Sequence, residues 1–122
     1  WNNLAAQDDF LESMAASAQA VADYFGDRIL YINVMNKLSI DCDCDAHPHD
    51  PEMKDIGILA SLDPVALDQA CLDLVYAVKP SAGDNSKPLI ERIESRHGRH
   101  TVDYAEQIGL GTRKYELKKL ES

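Results

Sequence analysis

No stretch of this sequence comes near the roughly 20 consecutive apolar residues that a membrane-spanning helix requires. No basic segment followed by an apolar one opens it in the manner of a secretory leader. The composition therefore predicts no membrane partner and a cytoplasmic protein. Cysteine is scarce: there are three. Two of them, Cys42 and Cys44, lie too close together for an easy mutual disulfide. A secreted disulfide scaffold is not expected, and a reducing compartment fits better. Basic charge is also short, with 12 Lys and Arg against 21 Asp and Glu and a net charge of -9. Such a field repels a phosphate backbone unless a local basic patch overcomes it. The basic clusters, Arg96-His97-Gly98-Arg99-His100 and Arg113-Lys114 with Lys118-Lys119, are not interleaved with aromatic residues. They read as solvated helix ends and a tail, so no nucleic-acid partner is expected. A glycine-rich phosphate loop, a Gly-x-Ser-x-Gly elbow, a Cys-x-x-Cys pair and internal repeats are all missing.

What is present is enough for one core. The chain has 122 residues, 45% of them hydrophobic and 27% charged, which fits one folded domain over 1–122. It starts at Trp1 and opens directly in helical sequence, so a piece of a larger protein is expected. Leu4, Leu11, Met14, Ala18, Val21 and Phe25 recur at helical spacing, and Gly26 stops the helix. Residues 28–34 form a continuous apolar, β-rich run, predicting a strand buried on both faces. Residues 36–51 are polar, and Pro48 and Pro51 make them a loop. Residues 56–60 form a second short strand. Asp63-Pro64 announces a helix, with Asp as its cap and Pro in its first turn. Leu67, Ala70, Cys71, Leu74, Val75 and Val78 form its apolar face, where Cys71 reads as packing. Two shorter helices follow, one over 87–97 and one capped by Thr101 and ended by Gly109. The alternation over 113–117 predicts an edge strand. The order gives an α/β fold: a small mixed sheet of about three strands covered by helices.

One constellation is dense. The loop 41–50 holds Cys42, Cys44, His47, His49 and four aspartates, Asp41, Asp43, Asp45 and Asp50. Thiolates and imidazoles suit zinc or iron, and carboxylates can complete a shell. In an extended chain Cys42 and Cys44 share one face, Asp41, Asp43 and Asp45 take the other, and His47 can fold back. Cys42, Cys44, His47, Asp43, Asp45 and His49 are the candidate metal ligands. The competing view is plain: the cysteines continue the alternation of Leu38 and Ile40 into a core, and the acids are solvated. A second cluster, His97, His100, Asp103 and Tyr104, offers a His–Asp acid–base unit, although such histidines commonly sit at helix ends. Asp63 and Asp68 flank the strand-to-helix junction where α/β sheets bind ligands. With His100 they are the candidate cofactor-binding residues. In the simpler view Asp63 is a cap and Asp68 a solvated acid. No residue is assigned a catalytic role.

Four stretches carry a family resemblance: YINVMN (31–36), DCDCD (41–45) followed by His47-Pro48, DIGILASLDPVALD (55–68) and HTVDYAEQIGLG (100–111). Together they resemble the C-terminal part of a family of uncharacterised iron–sulfur centre proteins, domain of unknown function 362. The resemblance runs from about Tyr24 to Leu117. It implies an intracellular bacterial or archaeal protein. Many members carry a ferredoxin-like insert rich in cluster-binding cysteines, which this chain lacks. Four thiolates usually hold a cluster, so no complete iron–sulfur cluster is expected from this chain alone. The expected function is a metal-associated or redox accessory module. The alternatives are a small-ligand-binding enzyme domain using Asp63, Asp68 and His100, or a docking domain without chemistry. The expected partners are the remainder of the parent chain or a second copy in a homodimer.

Overall fold

A computed structural model describes residues 4–42 and 44–121. Helix α1 spans Leu4–Phe25. Strands β1 (Tyr31–Met35) and β2 (Gly57–Ser61) follow. Helices α2 (Pro64–Tyr76), α3 (Lys87–Ser95) and α4 (Gly98–Gln107) complete the order. The α/β class expected from the sequence is what is found. The sheet is smaller than expected, two antiparallel strands in place of about three mixed ones.

Helix ends follow from local chemistry. Gly26 takes φ 61 and its N–H bonds Ala22 O at 2.8 Å, closing α1 with a left-handed glycine. After α4, Gly109 N–H reaches Glu106 O at 3.0 Å and Leu110 N–H reaches Ala105 O at 2.9 Å. Those two bonds and φ 84 at Gly109 form a Schellman motif, with Leu110 folded onto the apolar cluster it terminates.

Helix α2 is the centre of the molecule. Leu67, Ala70 and Val75 pack with Met35, Leu59 and Met53 in one buried cluster. Val65 joins Ala15 of α1 and Val102 and Ala105 of α4 in a second. The sheet therefore rests on α2, while α1 rests chiefly on α4.

Three expectations change here. First, α1 does not bury the expected face. Gln7, Leu11 and Ala15 are buried, at intervals of four residues, whereas Met14, Val21 and Phe25 are exposed. The reason is polar: Asp8 Oδ1 meets His97 Nδ1 at 2.9 Å, Glu12 Oε1 meets His100 Nε2 at 2.9 Å, and Gln19 Nε2 donates to Ile108 O at 2.6 Å. These residues fix which stripe of α1 faces α4. Second, among the described residues β1 is covered on one face only. Tyr31, Asn33 and Met35 share the α2 side, while Ile32 pairs with Ala60 and Val34 with Ile58 on the open side. Ile32, Val34 and Ile58 are 56%, 60% and 67% exposed. Third, residues 113–117 form no strand. That segment is held as a strap along α2 and α4. Arg113 bonds Glu106 at 3.0 Å and Asp103 at 2.5 Å, and Tyr115 Oη donates to Asp73 Oδ2 at 2.5 Å. The last bond, with some burial, pushes the phenol up to about 12.

The tail over 113–121 and loop residues 44–50 are exposed as well as the open face, and the total area is large. The chain exposes 8644 Å². A self-contained monomer of 13.5 kDa exposes roughly 6,500 Å², so about 2,100 Å² remains in excess.

Candidate functional site

The loop 41–50 does not run extended. Asp45 N–H bonds Cys42 O at 2.9 Å, closing a tight turn over the two cysteines. Neither cysteine is in a disulfide and both are exposed, so neither continues the core alternation. Cys44 N–H donates to Cys42 Sγ at 3.3 Å. Side-chain hydrogen bonding with Cys42 pushes the Cys44 thiol up, and the charges of Cys42 and Asp45 add to this. Asp45 Oδ1 accepts from His47 N–H at 2.9 Å. Asp41 takes His49 twice, Oδ2 meeting Nδ1 at 2.6 Å and the backbone N–H at 3.1 Å. Arg92 stands 3.7 Å from its other oxygen. Those bonds from His49 hold Asp41 below the usual carboxylate range and hold His49 above the usual imidazole value. Asp43 lies outside the described residues. Among the described residues, no three His, Cys, Asp or Glu side chains stand together as a metal site.

The junction between β2 and α2 gives each expected residue a different job. Asp63 Oδ1 accepts from Val65 N–H at 2.9 Å and Ala66 N–H at 3.0 Å, the N-cap arrangement. Its Oδ2 accepts from Thr112 N–H at 3.0 Å, so one carboxylate starts α2 and fastens the strap. His100 pairs with Glu12 and stacks on Tyr104, ring centroids 6.3 Å apart. Asp103, read as an orienter of histidine, pairs with Arg113 instead. His97 takes the left-handed φ of 52 that separates α3 from α4, and its ring is held by Asp8.

Asp68 is different, because it faces a cleft. Asn33 Nδ2 donates to Asp68 Oδ1 at 2.9 Å and to Cys71 Sγ at 3.4 Å. A cavity of about 290 Å³ lies between α2 and α4, lined by Met35, Leu38, Leu72, Leu89 and Thr101 beside Asp68 and Cys71. A second, of about 220 Å³, lies on the α1 side and shares Asp68, Thr101 and Val102 with the first. Burial pushes the Cys71 thiol up, the bond from Asn33 opposes this and the Asp68 charge adds to it. Cys71 packs against the core cluster, as expected, and its neutral thiol also borders the cleft. Asn33 was legible as the one polar residue inside the apolar run of β1.

A family model described as Domain of unknown function (DUF362) matches residues 1–73. The chain belongs to this family. Within the DUF362 match lie the acidic loop, both strands and α2 as far as Asp73, hence Asp63, Asp68, Cys71 and Asn33. The stretch 100–111 lies beyond it. No curated protein and no solved structure matches the chain. Among the described residues, no helix is long and apolar enough to cross a membrane.

Proposed function

We propose that this DUF362 chain is a docking unit of a larger α/β protein, with the open face of its sheet seated against further α/β polypeptide of the same parent. The observation that carries this is the open sheet face itself: Ile32, Val34, Ile58 and Ala60, flanked by Leu30 and Leu62, all exposed. Neither strand, YINVM nor GILAS, contains a charge or a proline. Natural sheet edges that face water carry such residues to prevent pairing. A second copy answers only part of this need. Edge-to-edge pairing of two such sheets enlarges the bare face, and face-to-face packing leaves the edges open. A strand followed by an amphipathic helix closes an edge and covers the face, as in layered α/β folds.

The test is binding of an apolar fluorescent dye to this chain alone and to the full-length parent, with sedimentation to fix the oligomeric state. The expected result is strong dye binding by a folded monomer, weakened severalfold in Ile32→Thr/Val34→Thr/Ile58→Thr, and absent in the parent. A folded monomer that binds no dye, or a dimer that the triple variant disperses, overturns the proposal.

We also propose that the loop 41–50 takes up zinc or iron, making the unit a metal-associated or redox accessory. Two exposed thiols drawn together across one turn favour this reading. Cys42 and Cys44 would be the leading ligands, with His47, Asp43, Asp45 or His49 completing the shell. His49 would first have to leave Asp41. The described arrangement does not fit an iron–sulfur cluster, because the third cysteine, Cys71, lies on α2, so cluster ligands would come from elsewhere in the parent. Metal binding deprotonates thiols, so uptake should strengthen as pH rises. Elemental analysis should find about one metal ion per chain, lost in Cys42→Ser/Cys44→Ser. A folded wild-type sample that stays metal-free after incubation with zinc and with iron sinks this reading.

A further inference from the structure

We propose that the cleft between α2 and α4 is a binding site for a small apolar molecule carrying an amine, with Asp68 as its counter-charge. This is independent of sheet docking, since the cleft lies on the α2 side of β1 and the bare face lies opposite.

The cleft has one charge. Among the residues lining its two cavities, Asp68 alone is ionisable with a charge at neutral pH; the others are apolar, Thr101, Gly98 or the neutral thiol of Cys71. No lysine, arginine or histidine lines either cavity. The Asp68 carboxylate is exposed at the mouth of the cleft, and Asn33 Nδ2 donates to its Oδ1 at 2.9 Å, which fixes its orientation. The same bond settles the orientation of the amide: its nitrogen must face the carboxylate, so its carbonyl oxygen is left as an acceptor. Among the described residues, Asp68 Oδ2 takes no hydrogen bond. Of the polar side chains that line the cleft, Asp68 offers Oδ2 as an acceptor, while the Thr101 hydroxyl can accept or donate. A ligand that satisfies Asp68 must donate.

Charge selects among donors. A neutral hydroxyl can donate one hydrogen, whereas an ammonium donates three and makes the stronger charge-assisted bond. An anion is opposed twice, by Asp68 locally and by the net charge of -9 over the whole chain. The walls set the rest of the molecule. Met35, Leu38, Leu72, Leu89 and Val102 offer an aliphatic slot. A volume of about 290 Å³ is at the small end of ligand pockets. The ligand class is therefore a short alkyl or aryl amine. Cys71 stays a spectator, because its thiol is pushed up and away from the reactive thiolate form.

The experiment compares hexylamine, hexanol and hexanoate, three molecules with one apolar body and different heads. Each is titrated into the ¹⁵N-labelled chain while amide shifts are followed. The expected result is saturable shifts at Asn33, Cys71 and Thr101 with hexylamine, at least tenfold tighter binding than hexanol, and no binding of hexanoate. In Asp68→Asn the amine should lose its advantage and bind no better than hexanol. Asp68→Ser should behave the same way, and Asp50→Asn, on the exposed loop, should bind as wild type. Equal binding of the three heads overturns the proposal. So does amine binding that Asp68→Asn and Asp68→Ser leave unchanged, which would mark general attraction to an acidic surface. No binding by any of the three also overturns it.

Discussion

Replacing Asp63 with Ala should lower the stability of the chain by about 1–2 kcal/mol, the usual cost of a lost N-cap, and release the strap at the same time. For a chain of this size that is a fall in Tm of about 4–10 °C. The argument rests on one carboxylate serving two segments. Oδ1 holds the first free N–H groups of α2, and Oδ2 holds Thr112 N–H. Asp63→Asn keeps an acceptor for the cap and should recover most of the loss. Gly111→Ala approaches the same contact from the other side. A Cβ at position 111 would stand 2.0 Å from Asp63 Oδ1, so the strap must lift or the cap must break. Amide exchange separates the two variants. Asp63→Ala should speed exchange at Val65, Ala66 and Thr112, whereas Gly111→Ala should affect Thr112 most. If Asp63→Ala leaves the melting temperature unchanged, the carboxylate is free for a ligand after all, and the cofactor role read from the sequence returns.

The start of α2 was legible because its signals are local: Asp63 caps, Pro64 fits the first turn, and both act within one turn. The ends of α1 and α4 were legible for the same reason, through Gly26 and Gly109. What was misread depended on distant partners. The alternation over 113–117 looks like a strand in isolation, but Asp103, Glu106 and Asp73 anchor its side chains onto helices before any strand can pair with its backbone. Residues 28–34 carry the pattern of a strand covered on both sides. That pattern cannot say whether the second cover belongs to this chain, and here the described residues supply one cover only. The stripe of α1 was missed because half of it is polar, with Gln7, Asp8, Glu12 and Gln19 chosen by α4 rather than by hydropathy. The break between α3 and α4 sits at His97, one of the few non-glycine types enriched at left-handed φ, and its bond to Asp8 holds the ring there. In the site, Asp68 was found from its place after the strand, but Asn33 and Cys71 were not joined to it. Their meeting depends on how β1 lies across α2, and no spacing in the sequence encodes that.

Leu67→Ala should cost about 2–5 kcal/mol, whereas Val34→Thr should change stability by less than about 0.5 kcal/mol. The two positions belong to opposite sides of the same sheet. Leu67 is 4% exposed and packs with Met35 and Leu59 from the α2 side. Truncation there removes buried methyl groups and leaves a cavity that neighbours fixed in a helix and a strand cannot fill. Val34, 60% exposed on the other face, loses little on becoming Thr, which keeps the β-branched shape that suits a strand. Denaturant unfolding of both variants measures the contrast directly. A small loss at Leu67 would mean that the sheet does not rest on α2, and the cleft bordered by Asp68 would lose its support. A loss at Val34 comparable to that at Leu67 would mean that the outer face is already covered in solution by a second copy. In the full-length parent the expectation reverses for Val34 alone: its face is then buried, a hydroxyl placed there loses its water, and Val34→Thr should become destabilising by about 1–3 kcal/mol. A substitution that is silent in this chain and costly in the parent would place the missing layer on that face of the sheet.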